Sequence, residues 1–102
     1  MRYSQLRAFH HVALTGGFSR AAEALHLTQP AISEQVRKLE QEHDVLLIDR
    51  DRKQVKLTEA GTELFDLTKR YFEVESQIAE QLSQSAASIA GELRIIADAA
   101  HH

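Results

Sequence analysis

The sequence predicts a mainly α-helical protein, in which three helices and a small β-hairpin wing form a winged helix-turn-helix and a long helix follows. Three observations lead to this prediction. Residues 18–42 show two helical patterns joined by a tight turn, residues 45–57 show two short apolar runs around a charged tip, and apolar residues recur four and three positions apart between residues 60 and 78. Apolar residues spaced four and three positions apart lie along one side of a helix.

Length and composition are those of one small globular domain with an appendage. The chain has 102 residues, of which 43% are hydrophobic. It has no cysteine, which excludes a disulfide framework and a cysteine-ligated metal site. No apolar run reaches the roughly 18 residues of a membrane span, and the first residues lack an apolar signal region. We therefore expect a cytoplasmic protein that does not enter a membrane.

The charge of the chain is unevenly distributed. The net charge is −3, but residues 1–58 hold nine Lys and Arg against seven Asp and Glu, a net charge of +2. Residues 59–102 hold three against eight, a net charge of −5. The acidic excess therefore lies outside the candidate helix-turn-helix. A charge of +2 is only a weak basic signature and does not by itself indicate a nucleic-acid partner.

Residues 4–14 are predicted to form the first helix, with Ser4 as its N-cap and the two glycines at residues 16–17 at its end. Its apolar side chains fall on one stripe: Leu6, Phe9, Val12 and Ala13. His10 and His11 invite a metal-site interpretation, but adjacent residues of a helix point about 100° apart and cannot chelate one ion together. We therefore expect no metal at this pair.

Residues 18–42 are predicted to form the helix-turn-helix. Ser19 is placed as the N-cap of its first helix, and Thr28 caps the second. His26 begins the bend, because histidine is among the few non-glycine residues enriched at positive φ. Pro30 fits the first turn of the second helix, where its missing N–H would have no partner anyway. The alanines of the first helix leave little bulk, so the two helices can approach closely.

The second of these helices is amphipathic. Its apolar stripe consists of Ile32, Val36 and Leu39. Its polar side consists of Pro30, Ser33, Glu34, Arg37 and Gln41, with Gln29 at the helix start and Lys38 on the flank. A helix of this width fits the major groove of B-DNA, where such side chains meet base edges and phosphates. On periodicity alone, a bundle helix with a solvated face explains the pattern equally well.

Residues 45–48 and 54–57 are predicted to be the two strands of the wing. Four basic side chains lie at or near its tip: Arg50, Arg52, Lys53 and Lys56. Such a tip suits phosphate contacts or insertion into a narrow minor groove, whose negative potential attracts cations. A solvated charged loop is the alternative.

The longest helix is predicted over residues 59–89, with Thr58 as its cap. Its apolar row consists of Ala60, Leu64, Leu67, Tyr71, Val74 and Ile78. This spacing is typical of a coiled-coil seam. A helix of some 30 residues is roughly 45 Å long, too long to be covered by the preceding domain, so we expect a second chain to bury the row. Gly61, in the first turn, has no explanation from the sequence alone.

The chain after this row is predicted to change its structure. Residues 83–91 are small and polar and are predicted to form a hinge. Residues 92–97, with the sequence ELRIIA, are predicted to form a strand that has no partner in this chain.

Three runs within the first 65 residues closely resemble the LysR-type transcriptional regulators. They are AAxxLxxTQPAIS in the helix-turn-helix, QLRAFHHVALTGGFSRAA before it and KLEQEHDVLLIDRDRKQVKLTEAG after it. The sequence departs from the family pattern at Glu34, usually a basic or amide residue, at Asp44, usually glycine, and at Ile48, usually phenylalanine. Asp tolerates the left-handed conformation expected at residue 44, and Ile is a smaller apolar side chain in the same role.

The resemblance implies sequence-specific binding of double-stranded promoter DNA by a bacterial transcription regulator. It places Gln29, Pro30 and Ser33 at base edges in the major groove, Arg37 and Lys38 near phosphates, and the wing in the adjacent groove. The full set of candidate DNA-binding residues is Ser19, Arg20, Thr28, Gln29, Pro30, Ser33, Glu34, Arg37, Lys38, Arg50, Arg52 and Lys53. Glu34 has two interpretations: its carboxylate accepts a hydrogen bond from a cytosine amine, or it pairs with Lys38 within the helix.

The resemblance also implies that the long helix is a linker helix that pairs with a second subunit. The expected dimer interface consists of Leu64, Leu67, Tyr71, Val74 and Ile78, and a higher oligomer is expected for a full-length protein. Residues 90–102 would begin an effector-binding domain, which makes the chain a fragment. No cofactor is expected, since a small-molecule effector would bind only the missing domain.

Two other classes of function are alternatives to DNA binding. One is a protein-interaction adaptor that acts through its long coiled-coil helix, with the helix-turn-helix as scaffold. The other is an enzyme. The sequence has no Ser-His-Asp order, no Gly-rich phosphate loop and no carboxylate pair at a useful spacing, so we expect no enzymatic activity.

Overall fold

The described part of the chain forms four α-helices and one two-stranded antiparallel sheet in a computed structural model. The structure describes residues 1–50 and 54–100, and the side chains of these residues except 88 and 92–100. The elements follow in the order α1 Tyr3–Thr15, α2 Phe18–Leu25, α3 Gln29–His43, β1 Ile48–Asp49, β2 Lys56–Leu57 and α4 Glu59–Ala100. The predicted class, a mainly α-helical winged helix-turn-helix followed by a long helix, is confirmed.

The chain divides into two compact units. The first runs from Met1 to Lys69, and the second begins at Arg70. In the first unit α1 packs against α2 and α3, and α2 packs against α3. The buried apolar side chains at this junction are Leu6, Ala8, Phe9, Val12, Ala21, Ala22, Leu25, Ile32, Val36 and Leu39. All three residues of the stripe predicted for α3 are among them.

The turn between α2 and α3 has the predicted conformation. His26 takes a left-handed conformation with φ of 55°, and the Leu27 N–H donates to the carbonyl oxygen of Ala22 at 2.9 Å. The Thr28 hydroxyl accepts a hydrogen bond from the Ala31 N–H at 3.3 Å and so caps α3. Pro30 is the second residue of that helix. These contacts span only a few residues, which is why the sequence reveals them.

The predicted N-caps of the first two helices are wrong. The cap of α1 is Arg2, whose N–H donates to the Gln5 side chain at 3.1 Å. Ser4 lies inside α1, and its hydroxyl donates to the Gln35 side chain at 3.3 Å. The cap of α2 is Gly17, because the helix already begins at Phe18, and Ser19 is its second residue.

The wing has shorter strands than residues 45–48 and 54–57. Among the residues that the structure describes, two pair on each side, Ile48 with Leu57 and Asp49 with Lys56. Ile48 is buried, as expected for an apolar side chain that replaces the family's phenylalanine, whereas Leu46 is 69% exposed. Asp44 ends α3 with φ of 50°, as predicted for the position where the family usually has glycine.

The start of α4 explains Gly61. Thr58 caps the helix by accepting a hydrogen bond from the Gly61 N–H at 3.0 Å, and its own hydroxyl donates to the Leu46 carbonyl oxygen at 2.6 Å. A Cβ atom at Gly61 would lie 2.0 Å from the Leu47 carbonyl oxygen. Glycine therefore lets the helix backbone pass directly over the segment that leads into β1.

The second half of α4 differs from the prediction. The helix continues to Ala100, so the hinge predicted at residues 83–91 and the strand predicted at residues 92–97 are both helical. Alanines at positions 86, 87 and 90 favour a helix. A lone strand would leave its backbone N–H and C=O groups without partners, whereas a helix satisfies them within the segment.

Candidate nucleic-acid interface

Helix α3 separates a buried side from an exposed one. Ile32 and Val36 are fully buried against α1 and α2 and fix the rotation of the helix about its axis. The candidate DNA-binding residues on the other side are exposed or half-buried: Thr28, Gln29, Pro30, Ser33, Glu34, Arg37 and Lys38. The first turn of α3 is accessible, because residues 26–30 are all exposed. The helix therefore presents its N-terminal half as a polar convex surface.

Glu34 pairs with Arg37 on this surface. An Arg37 Nη donates to the Glu34 carboxylate one helical turn away, and both side chains are about half exposed. The hydrogen bond from Arg37 is the largest cause that lowers the pKa of Glu34, with smaller contributions from the charges of Arg37 and Lys38. The intrahelical partner is therefore Arg37, whereas the sequence suggested Lys38.

The start of α2 places two further candidates at the surface. Ser19 and Arg20 are both exposed. The Arg20 guanidinium donates to the carbonyl oxygen of Thr15 at 3.2 Å, at the end of α1. Arg20 thus stabilises the turn between the two helices and still presents a cation.

Arg50 of the wing is held by a buried carboxylate. Its Nη1 lies 2.6 Å from Oε1 of Glu40, whose side chain is 5% exposed. The other oxygen of Glu40, Oε2, accepts the N–H of Leu47 at 2.7 Å and the N–H of Ile48 at 3.3 Å. Sequence reasoning missed Glu40. Its position four residues after Val36, in line with the apolar stripe, was the signal available.

Arg52 and Lys53, the other two candidates of the wing, lie outside the described residues. Lys56, on β2, is exposed.

A second contact missed by the sequence joins α1 to α4. His10 is 7% exposed, and its Nδ1 lies 2.9 Å from the hydroxyl of Thr68, which is also buried. The His10 ring centroid lies 5.5 Å from that of Phe65. Burial lowers the pKa of His10, and the nearby charges of His11 and Lys69 lower it further.

The predicted dimer interface is exposed along α4 in this single chain. Leu67, Tyr71, Val74 and Ile78 are 47–57% exposed. Leu64 is half-buried, because it also faces a hollow of about 280 Å³ lined by Leu6, Leu39 and Leu47 of the first unit. The row extends further than predicted, with Leu82 and Ile89 at 65% and 58% exposure.

Among residues 1–50 and 54–100, no three His, Asp or Glu side chains converge as a metal site would require. None of the helices in this part is long and apolar enough to cross a bilayer.

The chain belongs to the lysR family of bacterial regulatory helix-turn-helix proteins. The sequence pattern of that family matches residues 3–62, which include α1, α2, α3 and the wing. The assignment agrees with the fold, since this stretch contains the whole helix-turn-helix described above.

Two relatives show how far the similarity extends. The chain is 45% identical over 91 residues to the RuBisCO operon transcriptional regulator of Allochromatium vinosum, which is 89% of this chain and 30% of that protein. It is 40% identical over 102 residues, 69% of the relative, to a helix-turn-helix regulator encoded in the ibpB-leuC intergenic region of Azotobacter vinelandii. The chain thus spans less than a third of the first relative. Both relatives are named as regulators of transcription.

Solved structures of this class include complexes with DNA. The DNA-binding domain of BenM with catB site 1 DNA superposes with a TM-score of 0.79 at 28% identity, over 84% of this chain and 97% of that one. The DNA-binding domain of CbnR with DNA gives a TM-score of 0.71 at 33% identity, over 85% of this chain and 99% of that one.

Proposed function

We propose that this chain binds double-stranded DNA in a sequence-specific manner by placing the first half of α3 in the major groove. The main support is that α3 has one buried side and one exposed polar side, which includes Gln29, Pro30 and Ser33. Ile32 and Val36 lock the rotation of the helix, so the polar side chains keep a constant direction. A recognition helix requires this, because base-specific hydrogen bonds depend on a fixed approach to the base edges.

Ten of the twelve candidate residues have a proposed role at the DNA. Gln29 and Ser33 donate to and accept from base edges, with Pro30 in apolar contact and Thr28 capping the helix at the groove. Arg37 and Lys38 neutralise phosphates on one flank of α3. Ser19 and Arg20 contact the DNA backbone from the start of α2, and Arg52 and Lys53 contact DNA from the wing. The DNA complexes of the BenM and CbnR domains support this proposal, because their chains share the fold over more than four fifths of this one.

A binding titration tests the proposal. A duplex from the regulated promoter and a scrambled duplex of equal length are titrated by fluorescence anisotropy at several salt concentrations. We expect the promoter duplex to bind at least about a thousandfold more tightly than the scrambled one. Gln29→Ala should reduce this preference by about 1–3 kcal/mol. Gln41→Ala, the same change twelve residues further along α3, is the matched control and should leave it intact. Equal binding of both duplexes by the parent protein would refute sequence-specific recognition.

The exposed row on α4 supports a second proposal, that two copies pair through this helix. Tyr71, Val74 and Ile78 lie on one side of it, about half exposed, and apolar rows of this spacing are buried in coiled coils. Leu67→Asp puts a charge into the proposed interface, whereas Ser76→Asp puts the same charge on the opposite side of the helix. Sedimentation equilibrium should show a dimer for the parent and for Ser76→Asp and a monomer for Leu67→Asp. A parent protein that is monomeric at tens of micromolar contradicts dimerisation through α4.

The whole regulator is proposed to control transcription in response to a small molecule bound by a further domain. The protein-interaction adaptor remains the second candidate, because the exposed row on α4 suits a protein partner equally well. The titration separates the two: an adaptor that uses the helix-turn-helix only as a scaffold shows no preference between the duplexes. Neither candidate includes a catalytic step.

A further inference from the structure

Glu40 is a buried carboxylate on α3, and it faces the wing. Its side chain is 5% exposed, and its two oxygens have different hydrogen-bond partners. Oε2 accepts the backbone N–H groups of Leu47 and Ile48, and Oε1 accepts the Arg50 guanidinium at 2.6 Å. These four residues are called the Glu40 clamp. They join the recognition helix to the segment that enters and leaves β1.

The clamp satisfies groups that burial would otherwise leave unpaired. An ionised carboxylate out of water is costly unless charged or backbone donors surround it, and an unpaired buried N–H is costly as well. Here one side chain supplies the acceptor for two such N–H groups, and among the described residues the two-residue strand β2 is the only sheet partner of β1. The clamp therefore supplies the acceptor for two backbone N–H groups, those of Leu47 and Ile48.

Arg50 is engaged on two sides. Besides the ion pair with Glu40, its guanidinium carbon lies 5.8 Å from the ring centroid of Phe18, at the start of α2. A cation over an aromatic ring is attracted by the ring's negative face. The wing is thus attached to the second helix of the helix-turn-helix through Glu40 and to the first through Phe18.

We propose that Glu40 is the positioning residue of the wing, and that Arg50 acts on DNA through this clamp instead of as a phosphate ligand. The clamp sets the place of the wing relative to α3, so that both reach the DNA in one register. Fixed placement matters because a contact made by a mobile segment pays its ordering entropy when it binds. The proposal rests on the proposed DNA-binding function.

Amide exchange of the free protein tests the clamp without DNA. Glu40→Met keeps about the same side-chain length but removes both carboxylate oxygens, so neither the two backbone N–H groups nor Arg50 has its acceptor. We expect the amides of Leu47 and Ile48 to exchange at least about tenfold faster in this variant, while the amide of Val12 in α1 keeps its parent rate. Unchanged exchange at Leu47 and Ile48 would overturn the clamp.

A double-mutant cycle on DNA affinity tests the positioning role. The variants are Glu40→Gln, Arg50→Met and the pair, measured at 10 °C against a duplex that the parent selects from a randomised pool. Circular dichroism must show each variant folded. Each single change should weaken binding between about fivefold and thirtyfold. The affinity of the double variant should be no lower than that of the single variant that binds less tightly. Arg50→Lys keeps a charged donor and should recover part of the loss.

Lys38→Met is the matched control, since Lys38 lies on α3 outside the clamp. Its loss of affinity should multiply with that of Glu40→Gln, because the two side chains act independently. If the losses of DNA affinity in Glu40→Gln and Arg50→Met multiply in the double variant, Arg50 is a phosphate ligand in its own right and the proposal is overturned. So would an unchanged Kd in folded Glu40→Gln, which would limit Glu40 to stability. If the parent binds no duplex, the proposed function fails and the positioning role fails with it, while amide exchange still decides whether the clamp exists.

Discussion

Replacement of Gly61 by alanine should destabilise the protein, although the same change usually stabilises a helix. Alanine at an ordinary helical position is favoured over glycine by about 0.5–1 kcal/mol. At Gly61 the new Cβ would lie 2.0 Å from the carbonyl oxygen of Leu47, 2.9 Å from its carbonyl carbon and 3.3 Å from its Cα. All three atoms are backbone, and the same oxygen accepts the N–H of Thr58 at 3.0 Å. The clash is therefore relieved only by moving α4 away from the segment that leads into β1.

Overpacking of this kind costs about 1–3 kcal/mol or more, which exceeds the gain in helix propensity. A domain of this size should lose about 4–8 °C of Tm for each kcal/mol. The measurement is thermal and urea unfolding followed by circular dichroism, with all proteins at one concentration so that association does not shift the result. Gly91→Ala is the matched control in the same helix, because nothing lies within 4 Å of a Cβ there. An equal or raised Tm in Gly61→Ala would refute the close approach of α4 to Leu47.

Three further changes test the other contacts. His10→Gln should flatten the pH dependence of stability: the pKa of His10 is lowered by burial in the folded state, so the unfolded chain takes up the proton first and stability falls as the pH drops below about 6.5. The difference in Tm between parent and variant from pH 7.5 to 5 measures this, and parallel curves would contradict it. Thr28→Ala removes the cap of α3 and should cost about 0.5–2 kcal/mol in urea unfolding, with no loss if the hydroxyl does not cap. Glu34→Gln removes the partner of Arg37 and the carboxylate that repels phosphates, so it should bind random DNA more tightly and relax a cytosine preference in a randomised-operator selection. A uniform gain with base preferences intact would leave Glu34 a solvated charge.

The sequence revealed those parts of the fold whose causes are local. The bend at His26, the cap at Thr28 and the place of Pro30 each depend on residues at most a few positions apart. The apolar stripe of α3 likewise depends only on spacing along one helix. The two misplaced caps, Ser4 and Ser19, show the limit of local reasoning. Both are good capping residues, but Gln5 and Gly17 allow each helix to begin earlier.

The parts that the sequence did not reveal depend on contacts between distant segments. Glu40 reaches donors seven to ten residues later, His10 reaches Thr68 fifty-eight residues later, and Gly61 is required by a carbonyl fourteen residues before it. The alignment of Glu40 with the apolar stripe of α3 indicates burial, but no spacing in the sequence identifies the partners of these three residues. Arg50 was predicted as a DNA contact from its charge, and its charge could not show that a buried carboxylate already holds it.

The length of α4 was misjudged for a related reason. Small polar residues at 83–91 occur both in hinges and in exposed helices, so composition alone did not separate the two. The continuous helix carries Leu82 and Ile89 in its exposed apolar row, and both were missed when the row was ended at Ile78. A longer row gives the proposed pairing of two chains more apolar surface to bury.

Base reading by the exposed first half of α3 can be measured by selecting duplexes from a randomised pool with variants of single residues. The parent, Ser33→Ala and Lys38→Ala are selected in parallel, and the bound sequences are compared position by position. Ser33→Ala should lose a preference at one or two positions of each half-site with the others unchanged. Lys38→Ala should keep every preference and bind all sequences more weakly, with the salt slope lowered by about one unit. Identical preferences in the parent and Ser33→Ala, or a changed preference in Lys38→Ala, would contradict the assignment of base reading to this face of α3.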